Sequence, residues 1–214
     1  MTVWTSYKDR EDWLAHRWGI GASEAGSACG VGFKSRLELW REKTGMVQPE
    51  DISWDSRVQF GNDVEEPLRA LYRVMHPEHL LEFTPYTILR RDDDEEHAFM
   101  FSTPDGWLTE KATGRIGLYE SKSATLLSAA DYAKWRNHVP DGYYHQIMHS
   151  MYVGGFDFAV IFAILLNKEG DAEVRAYPFE RTEVERDMMR MVEQETEFWR
   201  CVESQTMPST KIRF

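Results

Sequence analysis

Apolar positions along the chain change their spacing twice. Up to about residue 80 they recur at helical intervals. A helix over 35–44 is framed by a capping box, Ser35 with Glu38, and stopped by Gly45. A second helix follows Phe60-Gly61, with Val64, Leu68, Leu71, Tyr72 and Met75 on one stripe. Pro67 is tolerated only near a first turn, so this helix is predicted to start at about Asn62 or Asp63. The middle reads as strands. Segments 83–90 and 97–102 flank the acidic run 92–96 as one hairpin, and 107–110 and 116–122 flank 111–115 as another. A helix over about 143–153 then leads through Gly154-Gly155 into an apolar strand, 156–166. A last helix, about 182–204, opens on a Thr182/Glu185 capping box and buries Val184, Met188, Met191, Val192, Phe198, Trp199 and Val202. The order predicts an α/β (mixed α+β) fold, a central mixed sheet flanked by helices.

Composition narrows the class. At 214 residues the chain suits one domain, 1–214, with the helical part about 1–80 integral to it. Apolar residues make up 42% and mean hydropathy is -0.54, as in a soluble globular protein. The longest apolar run, 158–166, is too short to span a bilayer, and the first residues lack a signal-peptide core. Cys29 and Cys201, with no CxxC, exclude a disulfide framework and a cysteine-built metal site. A cytoplasmic protein without a membrane partner is expected.

The net charge of -11 argues at first against a nucleic-acid partner. Its distribution softens the objection. Residues 50–66 carry six acids and one base, 92–96 five acids, and 180–203 eight acids and four bases, which leaves about +3 for the rest. The run 92–96 reads as a solvated loop.

The richest stretch for chemistry is TPDGWLTEKATGRIGLYESK, residues 103–122. Side chains at i and i+2 of a strand share a face, so Glu120 and Lys122 project together while Ser121 points away. Asp105 heads the preceding strand, and antiparallel pairing brings it beside Glu120. Two carboxylates and an ammonium at one end of a hairpin suit a hard divalent cation such as Mg2+, with the lysine orienting the attacking water or helping to deprotonate it. Alone, the short and common ExK pattern reads as a solvated ion pair; the preceding PDG and the following Gln-bearing helix favour the site.

P-D-G followed fifteen residues later by E-S-K resembles the PD-(D/E)xK nuclease core. RWGIGASEAGSACGVGFKSRLELWREKTG, FGNDVEEP and GYYHQIMHSMYVGG add further segments, in order from about 17 to 166. Together they resemble the lambda-exonuclease-like, YqaJ-type viral recombinase family. That resemblance implies a restriction-endonuclease-like core and a Mg2+-dependent exonuclease, with about two ions per site and Mn2+ as a substitute. It implies 5′-to-3′ digestion of linear double-stranded DNA by a ring-shaped homotrimer, encoded by a phage or prophage and acting beside a single-strand annealing protein.

The resemblance assigns Asp105, Glu120 and Glu65 as metal ligands, the Ser121 carbonyl as a further oxygen, and Lys122 as the residue that positions water and stabilises the transition state. Glu65 and Glu66 lie about 100° apart on a helix, so only one faces the site; spacing from Gly61 favours Glu65. Its plain alternative is a helix-capping acid. Gln146 sits on the apolar stripe of its helix as a site-facing or core amide. The family's second glutamine is Met148 here, and the neighbouring His145 and His149 read as structural. Gly19-Ile20-Gly21-Ala22-Ser23 before a short helix reads as an anion cradle with Ser23 as cap, or as a simple helix cap. Arg17 would hold a 5′-phosphate there, and Lys34 and Arg36 would touch the DNA backbone. Two other readings remain open: an endonuclease or resolvase on the same core, and a catalytically inactive DNA-end-binding protein.

Overall fold

The computed structural model describes residues 1–209. Its elements are β1 (Thr2–Ser6), α1 (Arg10–Ala15), β2 (Ile20–Gly21), α2 (Ala25–Ala28), α3 (Arg36–Lys43), α4 (Ser56–Met75), β3 (His79–Glu82), β4 (Thr87–Arg91) and β5 (Met100–Phe101). They continue with β6 (Gly106–Glu110), β7 (Ile116–Thr125), α5 (Ala129–Lys134), α6 (Asp141–Gly154), β8 (Phe158–Leu166), β9 (Ala172–Glu180) and α7 (Arg181–Glu203). The main sheet runs in the order β3-β6-β7-β8-β9. Only β7 and β8 are parallel, joined by a crossover through α5 and α6; the other neighbours are antiparallel. This is the mixed sheet between helices that the sequence predicts.

The apolar run in β8 is buried on both faces, as the central strand of a covered sheet must be. Phe158, Val160 and Phe162 pack with Leu68 and Tyr72 of α4 and with Tyr119. Ala159, Ile161, Ala163 and Leu165 pack on the opposite face with Ile147, Met148 and Met151 of α6 and Met188, Met191 and Phe198 of α7. On β7, Leu118 faces the second layer and Tyr119 the first. The alternation therefore sends Glu120 and Lys122 toward α6.

Several boundaries differ from expectation. Helix α3 carries the expected Ser35/Glu38 box. Helix α4, however, begins at Ser56, capped by Asp55, and keeps Pro67 inside it. The missing N–H leaves the Asp63 carbonyl unbonded on the solvent side, where both residues are exposed and water can serve it. The hairpin expected around 92–96 does not form as such. Strand β4 pairs instead with the N-terminal β1, β5 pairs in parallel with β2, and only a single bridge, Leu89 to Ser102, joins the two flanks. Nor is the acidic run merely solvated: Asp94 bonds His97 at 2.7 Å and Tyr152 at 2.6 Å, and Glu96 pairs with Arg200 at 3.1 Å. Strand β9 was not anticipated, and α7 starts without a side-chain cap. Helix α6 stops as expected, with Gly155 in the left-handed region at φ +67°.

Candidate active site

The register of β6 on β7 sets Gly106 opposite Tyr119, which carries Asp105 to the level of Glu120. Gly106 is required there, because a Cβ would lie 2.9 Å from the Glu82 carbonyl oxygen on β3. Asp105 is held through one oxygen: the Ser121 amide and hydroxyl both donate to its Oδ2 at 2.9 Å. Ser121 does project away from Glu120 and Lys122, yet at the strand end its hydroxyl still reaches Asp105.

Glu120 is 3% exposed. Lys122 Nζ donates to its Oε1 at 2.8 Å, and Gln146 Nε2, from α6, donates to the same oxygen. Burial, then Asp105, pushes the Glu120 carboxyl up to about 8. Burial pulls the Lys122 ammonium down, but Glu120 and Asp105 more than reverse this and raise it above the ordinary lysine range. The ammonium also lies 5.2 Å from the Tyr143 ring centroid.

Glu65, rather than Glu66, turns toward this cluster. Burial and then Asp105 push Glu65 up to about 7. Glu66 points outward and pairs with Arg69 at 2.9 Å and Arg73 at 3.4 Å. The structure thus brings together Asp105, Glu120, Lys122, Glu65, Gln146 and Ser121 from three elements and a strand head.

These donors fit a hard divalent cation. The carboxylates and the Ser121 carbonyl are oxygens, and Asp105 raises the proton affinity of both Glu65 and Glu120, a crowding that a bound cation relieves. Among the described residues, no three His, Cys, Asp or Glu side chains converge as a ready-made metal cage. Asp105 and Glu120 are turned instead onto Ser121, Lys122 and Gln146.

The expected DNA-contacting residues fare differently. Ser23 is exposed and no hydrogen bond from its side chain caps the short helix that follows. Two N–H groups of the expected cradle are already paired: Gly21 donates to Glu24 Oε2 at 2.9 Å, a glutamate that also pairs with Lys43 at 2.7 Å, and Ile20 donates to the Phe99 carbonyl. Arg17 lies against the Trp13 ring at 4.2 Å and the Phe101 ring at 5.6 Å, and burial lowers its pKa. The Lys34 ammonium is held by both oxygens of Glu42. Arg36 is buried over Phe198 rather than on a surface, because its helix packs on α7.

Met148 is a core residue, 1% exposed, with no access to a phosphate. His149 is fully buried: Nδ1 faces both Glu195 oxygens at 3.0 Å, and Nε2 the Phe101 carbonyl at 3.0 Å. His145 bonds the Asp141 carbonyl of its own helix. Two neighbours of the site escaped the sequence reading. Arg69 stands one turn after Glu65, an i,i+4 spacing that is legible in principle. Tyr143 meets Lys122 only through the packing of α6 on β7, which no local pattern shows.

The family model of the YqaJ-like viral recombinase domain matches residues 12–157. Among solved structures, an alkaline exonuclease (LHK-Exo) from Laribacter hongkongensis superposes with TM-score 0.64 at 17% identity, over 92% of this chain and 94% of that one. The same protein is also solved in complex with dAMP. A phage-related exonuclease from Haemophilus somnus 129PT gives TM-score 0.57 at 13% identity, over 90% and 98% of the two chains. No curated protein sequence matches significantly.

Proposed function

The chain belongs to the YqaJ-like viral recombinase family, and from that premise we propose that it is a Mg2+-dependent exonuclease. It degrades one strand of linear double-stranded DNA from a 5′-phosphorylated end, releases mononucleotides and leaves 3′ single-stranded overhangs. The observation that carries this reading is the convergence of Asp105, Glu120 and Lys122 with Glu65 and Gln146 at one end of the β6–β7 pair. The fold shared with a protein solved with dAMP is in keeping with a mononucleotide product.

Asp105, Glu120 and Glu65, with the Ser121 carbonyl, would hold the ions. Mg2+ bound there supplies positive charge to the attacking and leaving oxygens of an in-line displacement. Lys122, raised in pKa and so cationic at working pH, donates to the phosphate oxygen that gains charge and orients the incoming water. Tyr143 supports the ammonium from below, and Gln146 fixes the rotamer of Glu120 by occupying one of its lone pairs. Arg17 remains the residue we assign to the 5′-phosphate, its ring contacts holding the guanidinium in place. Ser23, exposed six residues further along, and Lys34, once freed from Glu42, would complete the DNA contacts.

The protein would act in the cytoplasm of a bacterial host as a ring-shaped homotrimer, passing its overhangs to a single-strand annealing protein for recombination. Among the described residues no helix is long and apolar enough to cross a membrane. The test is digestion of linear duplex with and without a 5′-phosphate, beside a closed circle, with Mg2+ present. Loss of the phosphorylated strand with an intact circle is expected. Cutting of the circle would establish an endonuclease, and inertness on all three substrates a DNA-end-binding protein.

A further inference from the structure

Arg69 is a buried cation with no part in the mechanism above. It is 4% exposed, and its guanidinium lies flat on the Phe83 ring, 3.9 Å from the centroid. Nε donates to Glu66 at 2.9 Å. Nη1 donates to the Asp105 backbone carbonyl at 3.1 Å and stands 3.6 Å from Glu65 Oε2. The guanidinium therefore touches the helix that carries Glu65, the strand head that carries Asp105 and the segment that follows β3. Glu65 and Asp105 sit on different elements and repel each other, and Arg69 is the side chain that bonds the strand head while standing beside Glu65. Lysine has no planar fork with which to make the same set of bonds.

We propose that Arg69 is a positioning residue that clamps α4 to the head of β6, so that Glu65 and Asp105 present their oxygens to one divalent cation. The proposal rests on the reading of this site as a metal-dependent nuclease centre. Charge and geometry make opposite demands on it. By Coulomb's law alone, removing a cation beside a Mg2+ site tightens Mg2+ binding. Losing the clamp loosens it, because an unsupported ligand pair must be ordered at the moment of binding.

The sign of the change is therefore the test. Mg2+ is titrated calorimetrically into the full chain without DNA, and digestion of linear duplex is followed against Mg2+ concentration. Arg69→Lys and Arg69→Gln are both expected to weaken Mg2+ binding about tenfold, the usual scale for residues supporting a metal ligand. Digestion at saturating Mg2+ should recover to near wild type. Tighter binding by Arg69→Gln, or a wild-type constant for Arg69→Lys, overturns the clamp. Glu66→Gln provides a variant safe for folding, since Glu66 is exposed and contacts Arg69 through Nε alone. A smaller weakening in the same direction supports the clamp, and an unchanged constant overturns it. Wild-type protein that neither binds Mg2+ nor digests DNA would bring down the nuclease reading itself. An active wild type with unmoved variants brings down only the role of Arg69.

Discussion

The surroundings of Glu120 disfavour its ionisation. Its carboxyl titrates at about 8 in the fold, whereas an unfolded glutamate titrates near 4.5. Between those values the folded chain holds a proton that the unfolded chain has lost, so the metal-free protein loses stability as pH rises through that window. Lys122, raised above its ordinary range, keeps its charge throughout. A cation at the site removes the penalty. The melting temperature without metal is expected to be lower at pH 8 than at pH 5.5, by on the order of 5 °C. Added Mg2+ should raise it more at pH 8 than at pH 5.5, and Glu120→Gln should reduce the slope, leaving the part due to Glu65, which is raised to about 7. Differential scanning calorimetry with and without EDTA checks this, and a slope of opposite sign refutes it. Lys122→Ala is expected to abolish digestion while duplex binding persists, because it removes the ammonium that meets the transition state and leaves the acids in place. Digestion measured alongside a gel-shift assay decides, and surviving digestion would end the assignment. At this scale the Asp105, Glu120 and Lys122 group was legible from alternation and spacing. The fates of Lys34 and Arg36 were not, since each depends on a partner that local pattern does not specify: Glu42 for Lys34, Phe198 for Arg36.

Elements were legible where their period was long. Helix α7 and strand β8 lie nearly where their stripes placed them, because each buries one continuous face. Helix α4 starts well before the position that Pro67 suggests, because one missing N–H on the solvent side is tolerated in a 20-residue helix held by Leu68 and Tyr72. Pro67→Ala should restore the bond to Asp63 and stabilise the protein by about 1–3 kcal/mol. A lower melting temperature for this variant would contradict the helix boundary. Strands β1 and β4 were harder to read, because pairing across some eighty residues leaves no mark on local spacing. The same holds for the contact between α6 and α7, made in part by His149 and Glu195, both without solvent exposure. Glu195→Ala strands His149 in the core and is expected to cost about 3–5 kcal/mol, roughly 10 °C in melting temperature. A shift of only a degree or two would show that the pair is not a structural link.

The charge of the whole molecule looks different once the site is assembled. Glu65, Asp105, Glu120, Lys122 and Arg69 together carry -1, three acids against two bases. Two divalent ions bound there would turn that formal charge to +3, so DNA engagement is expected to depend on metal as digestion does. The remaining acidity is spent elsewhere: Asp94 on Tyr152 and His97, Glu96 on Arg200, Glu195 on His149. A homotrimer is expected in solution, with light scattering at micromolar concentration as the check. A monomeric mass would refute the ring.

Sequence by itself determined the strand pair that carries Asp105, Glu120 and Lys122 and the apolar central strand, both of which follow from spacing along the chain. Its ordered motifs also resembled the family that the family model matches. Spacing from Gly61 also favoured Glu65 over Glu66, but tertiary structure alone decided which basic residues are already paired. It alone brought Arg69 and Tyr143 in beside the acids. Those outcomes hang on contacts between elements far apart in the chain, where burial and charge are set by neighbours that local pattern does not reveal.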